Sequence, residues 1–304
     1  MPALAGELTL AGKLTLAQVL SGLASRLSGV SETPALDAQV LAADLLGVSR
    51  AWILAHPEVE LSAEQGQAFE ASGLRLELGE PLPYVLGHWE FYGLQFDVNP
   101  AVLIPRPESE FLVEAALAWL RERRPPSAGW LAADVGCGSG CIAVALAKHA
   151  PDLRVIASDV SFPALEVAAQ NVTRHGLAGR VACVQADLLP PLAASVDLVC
   201  ANLPYIPTET LGGLGLSRWE PVLALDGGAD GLDRIRGLLE QLAARPSLLV
   251  AGGLALLEIE ASQGECALKL AERALGLAGQ AFPQAEIRLL KDLAGRDRCL
   301  RIQT

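Results

Sequence analysis

Apolar residues recur along this chain in two rhythms, and the change falls near residue 80. Over residues 1–80 the spacing is helical. Between Thr15 and Leu27 it sets Leu16, Val19, Leu20, Leu23 and Leu27 on one face, which predicts an amphipathic helix. Ala35–Leu46 repeats the pattern with Leu36, Val40, Leu41 and Leu45, and stops at Gly47, a residue suited to the left-handed turn that ends a helix. Ser62 followed by Gln65 predicts a capped third helix. This stretch carries no catalytic cluster. It reads as a small helical bundle whose functional role, in an enzyme, is partner recognition.

From Gly79 the texture turns aromatic and rich in Gly and Pro. Trp89, Phe91, Leu94 and Phe96 predict a β-hairpin turning near Gly93, which serves as a connector. The prolines of Leu103-Ile-Pro-Arg-Pro-Glu-Ser-Glu110 forbid a helix before Glu108, and Phe111–Leu120 then runs helical. Beyond it strands and helices alternate. Strands are predicted at Trp130–Val135, Arg154–Asp159, Val181–Ala186, Val196–Cys200, within Leu248–Ile259, and at Glu286–Leu290 and Cys299–Ile302. Helices fall at Ile142–His149, Phe162–Thr173, Leu232–Ala244 and Cys266–Leu275. Strands spaced by helices predict right-handed βαβ units and a mainly parallel sheet. The last two strands, close together around Gly295, predict an antiparallel pair at one edge. The expected fold class is α/β. The expected domains are a helical one over 1–80, a β-hairpin linker over 81–104 and a catalytic one over 105–304.

Composition narrows the field. A hydrophobic content of 51% over 304 residues argues against disorder. A net charge of −12 disfavours broad nucleic-acid binding, which needs a basic footprint, and the cluster of Arg121, Arg123 and Arg124 reads as a solvated helix end. The six cysteines show no Cys-x-x-Cys pair and sit mostly in apolar or Gly-rich stretches, so reduced, mostly buried thiols are expected. The four histidines are scattered, and no metal is expected. No basic-then-apolar leader opens the chain, and the longest run of apolar residues and glycine, Leu248–Leu257, is too short to span a bilayer. A cytoplasmic protein with no membrane partner is expected.

The candidate chemistry lies at strand ends. Val196–Ile206 starts as a strand and ends in Asn202-Leu203-Pro204-Tyr205. Asn202 offers a side-chain carbonyl, Pro204 biases Leu203 to an extended backbone whose carbonyl can be free, and Tyr205 adds a flat ring. Two acceptors and a stacking face suit a planar –NH2 group, although Asn-x-Pro alone is ordinary turn chemistry. Upstream, Asp134-Val-Gly136-Cys137-Gly138-Ser139-Gly140 bridges a strand and a helix, with glycines that allow a ligand close to the backbone. Cys141 stands where a dinucleotide fingerprint would need glycine. The next strand ends in Asp159, nineteen residues past Gly140, where a carboxylate can accept both ribose hydroxyls. The third ends at Asp187, which could take an exocyclic adenine amine. Singly, each carboxylate could be a helix cap. Three strand ends in register point to an adenosyl ligand, and an acid-rich pocket without a phosphate-binding cation fits S-adenosylmethionine better than ATP or NAD.

Asp134–Gly140, Asp159, Asp187 and Asn202–Tyr205 together resemble a class I methyltransferase acting on amino or amide nitrogen. Val102–Glu110, Glu220-Pro221 with Gly231-Leu-Asp233, and Lys291–Arg298 narrow the resemblance to the bacterial release-factor glutamine methyltransferase family. The resemblance implies a Rossmann-like sheet with an antiparallel edge strand, behind a helical domain and a hairpin. It implies S-adenosylmethionine as cofactor, bound by Asp134, Gly136, Cys137, Gly138, Ser139, Gly140, Asp159, Asp187 and Asn202, and S-adenosylhomocysteine as product. Asn202, Leu203, Pro204 and Tyr205 are the implied substrate-binding and catalytic residues. The implied substrate is the glutamine in the Gly-Gly-Gln loop of peptide-chain release factors, methylated on its side-chain nitrogen (N5). A ribosomal-protein glutamine and a nucleic-acid adenine N6 are the alternatives. The chain departs from the family in carrying Leu203 where proline is usual, a change a backbone carbonyl tolerates, and in Glu260, where glycine is typical.

Overall fold

The computed structural model describes residues 14–192, 194–213, 215–276 and 281–304. They form two compact units that divide between Gly87 and His88. The first thirteen residues of the helical segment lie outside the described residues.

The smaller unit holds α1 (Leu16–Leu27), α2 (Pro34–Leu46), α3 (Arg50–Ala55), α4 (Ala63–Glu77) and α5 (Leu82–Leu86). Reciprocal capping boxes start α1 (Thr15 with Gln18) and α4 (Ser62 with Gln65), each satisfying two otherwise unpaired N–H groups. Gly47 ends α2 at φ +64°. Leu16, Leu23, Leu27, Leu41, Ile53, Phe69 and Leu76 make the core, with Val19 and Leu20 packed at its margin. One expectation fails: Leu36 is exposed. The buried stripe of α2 keeps the expected Leu41 but otherwise runs through three alanines, Ala38, Ala42 and Ala43.

The larger unit opens with β1 (His88–Phe91) and β2 (Leu94–Asp97), an antiparallel hairpin whose turn residues Tyr92 and Gly93 both take positive φ. That pair of left-handed residues matches the twist of the strands, as a type I′ turn requires. Then come α6 (Pro107–Arg121), β3 (Trp130–Val135), α7 (Cys141–His149), β4 (Leu153–Asp159), α8 (Phe162–Arg174), β5 (Val181–Gln185) and β6 (Val196–Ala201). They are followed by α9 (Thr208–Leu211), α10 (Asp233–Ala244), β7 (Leu249–Glu258), α11 (Gly264–Leu275), β8 (Glu286–Lys291) and β9 (Asp297–Gln303). Helix α6 begins at Pro107, four residues before the expected Phe111, because Pro107 occupies the first helical position. There its missing N–H costs nothing and its fixed φ already fits.

The seven strands stand in the order β5-β4-β3-β6-β7-β9-β8. Pairing is parallel from β5 through β7, and β9 runs antiparallel to both β7 and β8. The terminal pair is thus antiparallel, as expected, but β9 is inserted between β7 and β8 rather than added outside them. Both faces of the sheet are covered. Along β6, Leu198 and Cys200 face the core shared with α6, α7 and α8, whereas Val196, Val199 and Ala201 face the core shared with α10 and α11. A strand buried on both faces needs an apolar run of this kind, here Leu198–Ala201, preceded by the buried Asp197 whose carboxylate accepts the Leu131 amide at 2.9 Å. The strand order reverses at β3, where the chain winds outward first to β4 and β5 and then to β6 and β7. A crevice at the carboxyl ends of the strands is expected there.

Candidate active site

The crevice exists. A cleft of about 980 Å³, its open mouth included, lies at the carboxyl ends of β3, β4 and β6. Of the sequence-expected residues, Gly136, Cys137, Gly138, Ser139, Asp159, Asp187, Asn202, Leu203 and Pro204 line it. Asp134, Gly140 and Tyr205 are not among its lining residues.

The glycine loop is fixed from beneath. The amides of Gly136 and Cys137 both donate to the Ser158 carbonyl, at 2.8 and 2.9 Å. The Gly138 amide donates to Asp159 Oδ2 at 2.9 Å, and the Ser161 amide to Oδ1 at 2.9 Å. Asp159 is thereby held with one hydrogen bond on each oxygen. An ionised carboxylate has about four acceptor sites, so both oxygens retain capacity for ligand hydroxyls. Each glycine has its own reason. A Cβ on Gly136 would sit 2.8 Å from Leu203 Cδ2, and one on Gly140 3.2 Å from Ala168 Cβ. At Gly138, with φ +52°, nothing lies within 4 Å, so the backbone there is open to a ligand.

Asp134 is buried beneath this loop. Its Oδ2 accepts the Ala143 amide at 2.9 Å, while Oδ1 has no partner among the described residues. Burial pushes its carboxyl up to about 7, against the pull of the Ala143 N–H and with the help of nearby Asp159. An orphaned buried carboxylate oxygen, an open glycine backbone and two further carboxylates at the strand ends fit a cationic adenosyl ligand. Asp187 is exposed, and its backbone carbonyl accepts from Gln241. Burial pushes the Cys137, Cys141 and Cys200 thiols up, Cys141 to about 12, so these cysteines are no source of thiolate.

The second wall is the Asn202–Tyr205 segment. Parallel pairing of Val135 with Ala201 sets the glycine loop beside it. Leu203 is buried, its side chain lying over Gly136, which explains how a leucine occupies this position. No described residue donates to the Leu203 carbonyl. Asn202 Nδ2 donates to the Ser109 hydroxyl at 2.7 Å, which leaves its side-chain oxygen uncommitted. The segment is pinned downstream by Gln263 Nε2 on the Tyr205 carbonyl and by backbone bonds from Ile206 to Leu225 and from Gly227 to Ile206. The Tyr205 phenol is pushed up to about 12, chiefly by burial and then by Glu258, so it stays protonated.

Several residues of the site entered the sequence reading only within segments that carry the family resemblance, with no role assigned, or not at all. Arg106 lines the cleft and pairs with the fully buried Glu220, whose other oxygen accepts the Ile104 amide at 3.0 Å. This pair joins the segment before α6 to the Pro221–Ala224 rim. Ser109 is a buried serine inside a helix, which the sequence offers only as part of Val102–Glu110 and without a role. Val160, Leu223 and Arg234 complete the wall.

A doubly wound sheet with this strand order, a glycine loop after β3 and a carboxylate ending β4 defines a Rossmann-like class I methyltransferase. Residues 132–227 match the methyltransferase domain family, and residues 18–87 match the PrmC N-terminal domain family. The solved hMettl16 catalytic domain in complex with MAT2A 3′UTR hairpin 6 shares the fold at a TM-score of 0.53, with 15% identity over 77% of this chain and 81% of that one. Sequence relatives lie nearer. The release factor glutamine methyltransferase of Moorella thermoacetica is 45% identical over 94% of this chain and 97% of its own length. That of Geobacter sulfurreducens is 39% identical over 80% of this chain and 82% of its own. The chain belongs to the release factor glutamine methyltransferase family.

Proposed function

We propose that this protein transfers a methyl group from S-adenosylmethionine to the side-chain nitrogen of the glutamine in the Gly-Gly-Gln loop of peptide-chain release factors, in the cytoplasm. The observation that carries the reading is the pair of uncommitted acceptors at the cleft, the Asn202 side-chain oxygen and the Leu203 carbonyl. The names of the relatives supply the substrate class.

When bound, the cofactor supplies a methyl group on a cationic sulfur that leaves as a neutral thioether. The residues of the glycine loop, with Asp159 and Asp187, hold the adenosyl part, and buried Asp134 answers its positive charge. A carboxamide nitrogen is a weak nucleophile, because its lone pair is delocalised into the carbonyl. Asn202 and Leu203 therefore act by placement. Accepting both N–H bonds aims the nitrogen at the methyl carbon and stabilises the positive charge that grows on it. Tyr205, protonated and held by Gln263 through its backbone, packs beside the amide plane. Residues 1–80 contribute recognition of the release factor.

Labelled S-adenosylmethionine incubated with purified release factor, beside a variant with the loop glutamine changed to alanine, tests the reading. Label on the wild-type factor alone supports it. Label on neither overturns it and turns attention to ribosomal protein and nucleic acid.

A further inference from the structure

Leu188, just beyond β5 and on the wall of the cleft, holds a backbone conformation that leucine rarely adopts, with φ at +64°. Such a residue persists only where its surroundings fix it. Here three side-chain hydrogen bonds do so. The Gln241 carboxamide of α10 straddles Leu188: its Nε2 donates to the Asp187 carbonyl at 3.1 Å, and its Oε1 accepts the Leu189 amide at 3.0 Å. The intervening Leu188 carbonyl accepts the Ser158 hydroxyl at 2.8 Å. One carboxamide thus pairs with the chain as a peptide of a neighbouring strand would. Its orientation is fixed, because the Asp187 carbonyl only accepts and the Leu189 amide only donates.

More of α10 is shaped to this turn. Arg234, Gly237 and Gln241 lie on one helical face, at spacings of three and four. Arg234 lines the cleft, and a Cβ on Gly237 would sit 3.0 Å from Leu188 Cδ1, so a glycine in mid-helix admits the leucine. Ser158 is fully buried and serves both sides of the cleft: its carbonyl accepts the Gly136 and Cys137 amides of the glycine loop, while its hydroxyl holds Leu188. The clamp uses only backbone groups of the turn. Asp187 lines the cleft, and its carboxylate bonds no described residue.

We infer that Gln241 and Ser158 are positioning residues for the base of the cofactor: together they hold the Asp187–Leu189 turn in its left-handed form, and the turn so held tells an amino-bearing purine from an oxo-bearing one. This inference rests on the cofactor reading proposed above.

The logic is one of donors, acceptors and rigidity. An ionised carboxylate only accepts, so Asp187 pairs with an amine at the edge of a ring and repels a carbonyl in its place. Asp187 is exposed, and a carboxylate on a loose turn would swing away from the wrong base at little cost. A turn held on both sides of Leu188 cannot follow it. Without Gln241, nothing described donates to the Asp187 carbonyl or accepts from the Leu189 amide, and the leucine is free to relax to the ordinary side of φ. Selectivity for the base therefore depends on a glutamine that does not line the cleft.

Calorimetry on the full chain with S-adenosylhomocysteine and with S-inosylhomocysteine, which carries a carbonyl in place of the amine, tests this. Wild type is expected to prefer the adenosine form by about tenfold or more, the size of one hydrogen bond to a charged group. In Gln241→Ala the adenosine form is expected to bind about tenfold more weakly and the inosine form nearly as before, so that the preference collapses. Adding Asp187→Ala to Gln241→Ala is expected to cost no further selectivity, because the two act through one contact. Ser158→Ala, which leaves the backbone bonds of the glycine loop in place, is expected to narrow the preference in the same direction. Gln241→Glu has the same size, keeps an acceptor for Leu189 and loses only the bond to the Asp187 carbonyl; it is expected to lose part of the preference and carries the test if the alanine variant does not fold. Equal weakening of both ligands in the Gln241 variants is the mark of a merely structural role and overturns the inference, as does a wild type that binds both ligands alike. The expected preferences without methyl transfer to release factor overturn the proposed activity and leave the inference standing.

Discussion

In the proposed mechanism a carboxamide side chain and a backbone carbonyl place the substrate, and the effect of removing either differs residue by residue. On that proposal Asn202→Ala takes away one of two acceptors for a charge that exists only in the transition state. Turnover is expected to fall on the order of 10² at saturating cofactor, by analogy with removed oxyanion-hole donors; labelled-methyl kinetics over a range of cofactor concentrations checks it. Gly136→Ala fails differently. The backbone there is at φ +71° and the new Cβ would meet Leu203 Cδ2 at 2.8 Å. It is expected to cost about 1–2 kcal/mol from the left-handed backbone alone and to weaken cofactor binding as Leu203 shifts; denaturation midpoints and cofactor titration measure it. Asp134 contributes a pH dependence. Its folded carboxyl stands near 7 against an ordinary 3.8, so the native state holds a proton that the unfolded chain releases between those values. Stability is then expected to fall as pH rises from about 4 to about 7 and to level above, by at most about 1.4 kcal/mol per pH unit. Glu258, raised from 4.5 to about 7, acts in the same direction. Asp226, Asp230 and Asp292 are shifted the other way, but Asp230 is exposed and the half-buried Asp226 and Asp292 still reach solvent, where screening leaves little effect. Urea midpoints of ligand-free Asp134→Asn between pH 5 and 7 are expected to show a shallower slope than wild type. At this scale the sequence made the glycines, the strand-end aspartates and Asn202 legible, because each has a spacing tied to a chemistry. Ser109 was legible only as part of the family resemblance: its bond to Asn202 exists only once α6 packs against the end of β6.

Elements meet through single buried side chains, and Asn171 of α8 is the clearest. It is fully buried, and its Oδ1 accepts the Asp97 amide at 2.7 Å. Its Nδ2 donates to the Asp97 carbonyl at 3.0 Å and to the Ser139 carbonyl at 2.9 Å. One residue thus ties the β1–β2 hairpin and the glycine loop to the same helix. Arg174 and His175 add bonds to Asp97, Gln95 and the Gln95 carbonyl, but at the surface. Asn171→Ala strands three backbone groups and is expected to destabilise by roughly 3 kcal/mol, since each unsatisfied buried group costs about 1–3 kcal/mol. Cofactor affinity is expected to drop with it, because Ser139 lines the cleft; thermal unfolding with and without cofactor separates the two losses. Asn171 gave no signal in the sequence, where it reads as one polar residue in a helical run. Long periodic elements were legible to within a few residues, from α1 through β9. The short helices α3 and α5 were not, because five or six residues are too few to display a period.

On the scale of the whole molecule the division of labour follows from where each core lies. The cleft is lined by residues between Ala101 and Arg234, all within the larger unit. That unit has apolar cores on both faces of its sheet, whereas the helical unit has its own core and none of the cleft residues. The alternation of strand and helix made the parallel sheet legible, and the change of rhythm near residue 80 marked two kinds of structure. The insertion of β9 between β7 and β8 was hidden, since neither strand's pattern names its neighbour. It follows from independent cores that the fragment 88–304 should fold and bind S-adenosylmethionine within about threefold of the full chain, a difference below about 0.7 kcal/mol. If residues 1–80 serve recognition, the same fragment should methylate release factor with a kcat/KM lowered mainly through KM, because the acceptors Asn202 and Leu203 remain in place and only the concentration of correctly docked substrate falls. Calorimetry with the cofactor and methyl-transfer kinetics with the release factor, run on one preparation of the fragment, distinguish the two claims. Lost cofactor binding would mean that the larger unit is not self-sufficient; an unchanged KM would mean that recognition is written on the catalytic unit itself.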